Sequence, residues 1–357
     1  MTFPGIFPLT FLPAGIIKSV QTVEITIAAG ASSNTATIAV VETGYSAIFQ
    51  AGKRSADTSY VATEDSVSFA LTNATTITAN TATANAGSSR IGRCTVVEFY
   101  SSAVSSVQTG IINATGTSDT ATITAVDTAR SVAYHSGYIF SGASNDWNYQ
   151  PGEITLTNAT TVTRTRNSSA VNTLTVQYTV IQFAPGIVNS IQHISLTSST
   201  NATGDTAINA VNDATSFIFW GGFTLTTFAS NNNQRHPYYH RTSTTNVRLT
   251  RGAAAASITT GKCAVVEFNP QYVMSRQANQ TAIAINQTSQ TDTINSVNTS
   301  KSLLLWSGQT VGASNAGGYG IVFATVKLNS ATQAIAERGA TSATIAVTNA
   351  YEVGEFI

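Results

Sequence analysis

Five landmarks recur in one fixed order, four times, along 357 residues, which confines the chain to a tandem array of like units. Each copy opens on a serine with a glutamine two places later: Ser19–Gln21, Ser106–Gln108, Ser190–Gln192 and Ser275–Gln277. The glutamines are 87, 84 and 85 residues apart. A Thr-rich strand follows, with Ile38, Ile123, Ile208 and Ile294 in register. A strand running from serine to glycine comes next, at Ser46–Gly52, Ser131–Gly137, Ser216–Gly222 and Ser302–Gly308. The fourth landmark reads Leu-Thr-Asn-Ala-Thr-Thr from Leu71 and from Leu156, and weakens to Leu249-Thr250 and Leu328-Asn329. Each copy closes on a Val-Val-Glu-Phe-like strand ending at Phe99, Phe183, Phe268 or Phe356.

The residues that fill this frame point to strands. Charged residues are 10% of the chain, against roughly 25% in an average soluble domain. Thr alternating with Val and Ile suits a pleated surface, because a branched Cβ restricts χ1. Long helical runs of Leu, Glu and Lys are missing. The expectation is an all-β chain of four tandem β-sandwich modules, each of about 85 residues with six to eight strands and its own core. The boundaries fall at an extended apolar N-terminal arm (1–17) and repeats 18–103, 104–187, 188–272 and 273–357. The linkers Ser101–Ser105, Ala184–Asn189 and Asn269–Met274 are short, and Pro185 and Pro270 stiffen two of them, so a semi-rigid row or ring is expected.

Comparing the copies sorts their faces. In the serine-to-glycine strand one face reads Ala47/Phe49, Val132/Tyr134, Phe217/Phe219 and Leu303/Leu305, apolar as a core-facing side requires. The position that carries Gln50, His135, Trp220 and Trp306 varies freely, which sets it outside a shared core and makes Trp220 and Trp306 candidates for packing between modules or subunits. In the closing strand, Leu174, Val176, Tyr178 and Val180 share a face. The glycines Gly52, Gly137, Gly222 and Gly308 fit a turn or bulge that needs positive φ. Asn73, Asn113, Asn158, Asn167 and Asn201 match the glycosylation pattern, but without a signal peptide they read as turn residues.

Charge and special residues narrow the function. Seventeen Lys and Arg balance seventeen Asp and Glu, so no basic stripe is available for nucleic acid, and a weakly charged surface suits lying against identical neighbours. Cys94 and Cys263 occupy matching positions in copies one and three, where copies two and four have Tyr178 and Tyr351. They read as buried free thiols rather than a disulfide pair. The segment Met1–Ile17 is uncharged and broken by Pro4, Pro8 and Pro13, too short and too interrupted for a signal peptide or a membrane span. An arm that docks on a partner through Phe3, Phe7 and Phe11 is expected, the alternative being a first strand on the chain's own module. No membrane insertion is expected.

Phosphate-loop, zinc-protease, nucleophile-elbow and paired-cysteine motifs are missing. The recurring acids Glu98, Glu267 and Glu355 give way to Gln182 in copy two, which suits a hydrogen-bonding device better than a catalytic carboxylate. No enzyme, metal or cofactor is expected. The densest polar–aromatic cluster is a long loop in copy three holding Arg235, His236, Tyr238, Tyr239, His240 and Arg241. Pro237 spoils a helical metal site, whereas rings with flanking donors suit a sugar or a protein partner. Copy two carries Trp147 and Tyr149 at the corresponding place, and variation confined to one loop of a repeated scaffold is where specificity lives. His135 and His193 read as strand residues satisfied in place.

Ser106–Gln108, Thr120–Ile123, Val126–Thr128, Leu156–Thr163 and Val96–Phe99 together resemble a β-rich repeat of structural proteins of tailed-bacteriophage virions. The resemblance spans Lys18–Ile357 and is best in copies one and two; copies three and four depart at the Leu-Thr-Asn-Ala-Thr element. Module size and closing strand also resemble, less specifically, the sandwich of H-type lectins, with no sugar site to carry over. The phage resemblance implies a non-enzymatic virion protein, used as capsid decoration, head fibre or tail fibre and assembled in the host cytoplasm. It implies identical subunits as partners, a trimer by analogy, together with capsid or tail proteins. The lectin-like alternative is a glycan-binding receptor or adhesin that uses the aromatic loops of copies two and three.

Overall fold

The computed structural model of the chain describes residues 15–55, 66–82, 88–141, 152–167, 173–226, 232–254, 259–312 and 319–357. Each repeat contributes six strands. The first holds β1 (Ile17–Ile27), β2 (Ser33–Thr37), β3 (Ser46–Ser55), β4 (Ser68–Asn73), β5 (Thr76–Asn80) and β6 (Arg90–Phe99). The second holds β7 (Val104–Ala114), β8 (Ser118–Thr122), β9 (Ser131–Phe140), β10 (Glu153–Asn158), β11 (Thr161–Thr165) and β12 (Leu174–Phe183). The third holds β13 (Val188–Ser198), β14 (Thr203–Ala207), β15 (Ser216–Leu225), β16 (Tyr238–Ser243), β17 (Asn246–Thr250) and β18 (Thr259–Phe268). The fourth holds β19 (Val273–Ile283), β20 (Ser289–Thr293), β21 (Ser302–Val311), β22 (Ala324–Ser330), β23 (Gln333–Arg338) and β24 (Val347–Phe356).

These strands do not form four sandwich modules. They build four antiparallel six-stranded sheets arranged as a four-bladed β-propeller, and every sheet draws on two repeats. The orders are β2-β5-β4-β9-β12-β7, β8-β11-β10-β15-β18-β13, β14-β17-β16-β21-β24-β19 and β20-β23-β22-β3-β6-β1. A repeat therefore gives its first, third and sixth strands to one blade and its second, fourth and fifth to the next. Alternation along a strand reveals which face is buried but not which chain segment supplies the neighbouring edge, and that is why the sandwich expectation failed.

The splice between half-sheets falls on the recurring glycine. Gly52 pairs with Thr325, Gly137 with Ser68, Gly222 with Glu153 and Gly308 with Tyr238. Their φ values are +92°, +125°, +95° and +114°, as the positive-φ reading requires. A Cβ on Gly222 would lie 2.0 Å from the Gly152 carbonyl oxygen, and one on Gly52 2.2 Å from that of Ala324. Glycine is needed here for two reasons at once: left-handed backbone and an incoming strand.

Two kinds of core follow from the shared sheets. Within a repeat the two half-sheets face each other across adjacent blades, as where Val23, Ile25, Ile48 and Val96 meet Phe69, Ile77 and Ala79. A central cluster then joins all four repeats and contains Phe99, Phe183, Phe268 and Phe356 in like surroundings. Neighbouring phenylalanines of this set lie edge-on, at 5.2 Å for Phe183–Phe268 and 5.1 Å for Phe268–Phe356. Both cysteines are free and buried in the inter-blade cores, and burial pushes both thiols up.

The polar landmarks hold this frame. The side-chain amide of Gln108 donates to the Thr124 carbonyl (3.0 Å) and accepts the Thr124 N–H (2.8 Å). Gln21, Gln192 and Gln277 clamp Ala39, Asn209 and Asn295 in the same two-sided way. Glu98 accepts from Ser19 and the Glu42 N–H, Glu267 from Ser190 and the Asn212 N–H, and Glu355 from Ser275 and the Asn298 N–H. Burial pushes the Glu98 carboxyl up, and bonds from Lys18, Glu42 and Ser19 outweigh it and hold the group below its ordinary value. In the fourth landmark Asn73 and Asn158 close the hairpins by accepting the N–H groups of Thr75 and Thr160.

The structure moves that landmark in repeat three. Its hairpin is Arg241-Thr242-Ser243-Thr244-Thr245-Asn246, with Ser243 accepting the Thr245 N–H, whereas Leu249-Thr250 lies further on in β17. Ser330 does the same work for Thr332 in repeat four. A hydroxyl replaces the carboxamide, so the Asn-based pattern was lost although the turn was kept.

The N-terminal segment is also revised at its end. Ile16 and Ile17 are buried in the central core and β1 starts at Ile17, so the arm cannot extend as far as Ile17. Phe3, Phe7 and Phe11 lie outside the described residues.

Candidate functional site

The third strands of the repeats (β3, β9, β15 and β21) surround the axis of the ring. Equivalent residues from each make successive four-membered layers. Ala47, Val132, Phe217 and Leu303 form one, and Phe49, Tyr134, Phe219 and Leu305 the next; all eight are buried. In the second layer Phe49 stacks on Tyr134 at 4.8 Å, and Phe219 meets their rings edge-on at 5.9 and 5.7 Å. Unequal side chains thus fill one fourfold position by complementary size.

The third layer is Gln50, His135, Trp220 and Trp306, the position that varied most freely in sequence. It lies at the heart of the ring, not outside it. The His135 and Trp220 rings are 4.9 Å apart, and those of Trp220 and Trp306 5.2 Å. The two tryptophans thus pack between repeats of this one chain. Trp306 Nε1 donates to Asn349 Oδ1 at 3.2 Å. His135 Nδ1 accepts the Gly137 N–H at 3.1 Å, and burial, with the Lys53 charge adding to it, pushes His135 down to about 3. The ring is therefore neutral with its proton on Nε2.

Beyond the splice glycines comes a mixed layer of Lys53, Tyr138, Phe223 and Gln309. With Phe69, Trp220, Trp306, His236 and Phe323 among others, these residues line a cavity of about 40 Å³. Lys53 Nζ donates to Tyr138 Oη at 3.0 Å and lies 4.5 and 4.6 Å from the ring centres of Tyr138 and Phe323, a favourable setting for a cation. Gln309 donates to the Val322 carbonyl at 2.6 Å and accepts the Ala324 N–H at 3.2 Å. Lys53, Tyr138, Phe223 and Gln309 escaped the sequence reading; each directly follows a recurring glycine, and that shared register was the available signal.

The copy-three cluster divides. Only Asn232–Gln234 forms a 3-10 turn, and the segment expected as an open loop becomes strand β16 from Tyr238. Arg235, His236, Tyr238 and Tyr239 are buried, because the fourth strand of the repeat inserts at the splice. His236 faces the axis, 4.9 Å from the Phe323 ring, and burial, then the charges of Arg235 and Lys53, hold it well below its ordinary value. Tyr239 Oη donates to the Gly222 carbonyl at 2.6 Å. His240 and Arg241 instead line, with Tyr239, Asn279, Gln280, Tyr351 and Glu352, a groove of about 370 Å³ between repeats three and four. Arg241 pairs with Asp213 at 2.8 Å, and Arg276 bridges Asp213 and Glu352. Trp147 and Tyr149 lie outside the described residues. His193 stands on β13 with part of its side chain exposed, and partial desolvation, offset in part by a bond with the Ser131 backbone, holds it below its ordinary value.

A set of arginine clamps was also missed. Arg166, Arg251 and Arg338 occupy one repeat position and donate to carbonyls of the turn after the repeat's first strand, at Gly116, Asn201 and Ala284. Repeat one has Thr81 at that place, and Arg90 reaches it from β6 at 2.8 Å. That exchange between positions hid the pattern. Among the described residues no three His, Cys, Asp or Glu side chains converge as metal ligands, and no helix is long and apolar enough to cross a membrane.

Fold and site together define a closed all-β ring of four repeats with an axial cavity. No protein-family model matches the chain, and no curated protein matches it in sequence.

Proposed function

We propose that this chain is a non-enzymatic structural protein of a tailed-phage particle, displayed on the surface as capsid decoration, head fibre or tail fibre. The observation that carries this reading is how the recurring polar residues and glycines are used. Gln21, Glu98, Gly52, Arg166 and their equivalents are engaged in holding the ring. Support also comes from the connections between third and fourth strands: each is 12 residues long, and apart from an Ala-Ser-Asn shared by three of them (Ala143–Asn145, Ala229–Asn231 and Ala313–Asn315) their sequences differ. A constant frame with interchangeable segments suits display. Identical subunits, with a trimer favoured, and capsid or tail proteins are the partners on this reading.

Mass spectrometry and imaging of purified particles test it. The protein should be present in stoichiometric amount, and deletion of residues 1–14 should abolish incorporation while thermal unfolding of the ring stays cooperative. Absence from particles would refute the reading, and incorporation without the segment would refute its role as anchor. The groove between repeats three and four favours a second reading, a glycan receptor. It joins Tyr239, His240 and Arg241 to the carboxamides of Asn279 and Gln280, a mixture that suits hydroxyl-rich ligands. A glycan array comparing the parent chain with Asn279→Ala decides: no binder, or binding that Asn279→Ala leaves unchanged, removes this reading.

A further inference from the structure

The layer at Gln50, His135, Trp220 and Trp306 has an unusual hydrogen-bond balance. Trp306 satisfies its indole N–H on Asn349, but Gln50 Nε2, His135 Nε2 and Trp220 Nε1 are buried without a partner. His135 is 1% exposed and Trp220 6%. All three atoms are donors: the indole nitrogen can be nothing else, and the Gly137 N–H occupies the acceptor nitrogen of His135. Buried donors without acceptors are disfavoured, and native proteins keep few of them. Here three occur at one repeat position on three separate repeats, around one axis.

Size then limits what could accept from them. The cavity of about 40 Å³ adjoins a second void of about 10 Å³ lined by all four residues of this layer and by Phe49, Tyr134, Phe219 and Leu305. One water needs roughly 10–15 Å³ measured in this way, and an organic ligand needs roughly 300 Å³ or more. Sugars, nucleotides and common cofactors are too large. A water fits, but it brings two protons of its own into a lining that is mostly aromatic and aliphatic carbon, where the Gln309 carbonyl oxygen is already taken by the Ala324 N–H. A monatomic anion brings none, and the lining ammonium of Lys53 adds a favourable potential for it.

We propose that the axis of the ring binds one small monovalent anion of the halide class, held by the N–H groups of Gln50, His135 and Trp220. The tryptophans make the site its own reporter. The full chain, exchanged into sodium gluconate, is titrated with sodium chloride and then sodium bromide at constant ionic strength, while tryptophan fluorescence and the thermal midpoint are followed. Both should change saturably with halide. Trp220→Phe keeps a ring but removes the donor, and should weaken chloride binding about tenfold or more. Wild-type crystals soaked in bromide should give an anomalous peak on the axis beside Trp220 Nε1. Three outcomes would overturn the proposal: a midpoint insensitive to which anion is present, chloride affinity unchanged in Trp220→Phe, or no axial bromide peak. Should Trp220→Phe fail to fold, the bromide peak in the wild-type protein decides alone.

Discussion

Three of the four blades join repeats that follow one another directly in the chain, whereas the fourth joins the last repeat to the first. The backbone treats them alike. At the linkers the N–H of Ala103 bonds the Tyr100 carbonyl, Ile187 that of Ala184, and Tyr272 that of Asn269. At the closing seam the N–H of Ile16 bonds the Ile357 carbonyl at 3.2 Å, the same contact made without a covalent connection. The side chains differ. Only the closing blade places four charges at its splice, where Arg93 bonds Glu24 and Glu337 (the latter at 2.6 Å) and Arg54 bonds Glu24 (2.9 Å) and Glu337 (3.2 Å). The equivalent four positions hold Asn80, Ile111, Ile139 and Gln177 in one blade, Thr165, Ser195, Thr224 and Lys262 in the next, and Thr250, Gln280, Thr310 and Ala350 in the third. The blade of repeats three and four has a charge cluster of its own, Arg241, Arg276 and Glu352 with Asp213, so what sets the closing blade apart is that its four charges bridge the splice itself. Arg93 and Glu337 are 244 residues apart, so this contact helps to close a long loop that no linker shortens.

The largest expected effect comes from breaking a splice outright. Gly52→Ala places a Cβ against the Ala324 carbonyl at positive φ, and should cost about 3 kcal/mol or more in urea unfolding. Gly222→Ala creates an equal clash in a blade whose repeats are joined by a linker. If the closing seam is the weaker one, Gly52→Ala should also expose it selectively, seen as faster proteolysis near β1 and β22. Equal cleavage patterns in the two variants would remove the distinction between seams.

Next in size is the charge cluster. The Arg93 side chain is 1% exposed, so Arg93→Met leaves two carboxylates with only Arg54. Removing one partner from a buried ion group costs about 3–5 kcal/mol, and the partial exposure of Glu24 and Glu337 brings the expected loss to about 2–3 kcal/mol. Lys262→Met, at the same position of another blade, should stay within about 0.5 kcal/mol. Chemical denaturation of both variants checks the contrast, and similar losses would show that the closing blade has no special dependence on charge.

How much of this was legible beforehand depends on which interaction set the residue. Period-two alternation correctly placed Phe49, Tyr134, Phe219 and Leu305 on a buried face, and the recurrence of Gly52 and its equivalents correctly implied positive φ. Both are local backbone properties. Blade sharing was not legible, because hydrogen bonds between β3 and β22 link residues with no common sequence pattern. The variable layer was misplaced for a related reason. Gln50, His135, Trp220 and Trp306 vary because four unequal side chains share one axial space, and variation was read as a place outside the shared core, although packing of the two tryptophans between units was expected. The copy-three cluster failed through register: with Arg241 standing where other repeats have leucine, and Ser243 where repeats one and two have asparagine, its strand resembled an open loop.

Acidification should separate the axis from the closing seam. The folded chain keeps His135 neutral down to about 3, while the unfolded chain protonates it near its ordinary value of 6.5. The stability it contributes is complete above pH 6.5 and declines as pH falls toward 3, by about 1.4 kcal/mol per pH unit once the unfolded histidine is charged. Burial pushes the Glu337 carboxyl up, but Arg93 and Arg54 outweigh it and leave it below its ordinary value. Its contribution is present above the carboxylate range and is lost only as pH falls through the lowered folded value. His236, also held low, adds to the same slope, so denaturation between pH 6.5 and 4.5 should lose part of its slope in His135→Gln and keep all of it in Glu337→Gln. The reverse result would mean that the seam, rather than the axis, sets acid sensitivity.

The smallest effect is the one that should not distinguish the blades. The glutamine clamps link the first strand of a repeat to the residue group after its second strand, and so bridge adjacent blades within one repeat. Gln21 belongs to the closing blade through β1, and Gln108 to another blade through β7, yet both make the same pair of bonds to the N–H and C=O of a single residue. Each pair is solvent-exposed, so its net contribution is that of an ordinary exchange with water, about 1 kcal/mol. Gln21→Ala and Gln108→Ala should lower stability equally, within about 0.5 kcal/mol, and the double variant should show the sum. Arg93 and Lys262 ought to differ because they report on how a blade is spliced; Gln21 and Gln108 ought to agree because they report on how a repeat folds. A clearly larger loss for Gln21→Ala would mean that the closing seam weakens the repeat itself, and the two levels of the architecture would no longer be separable.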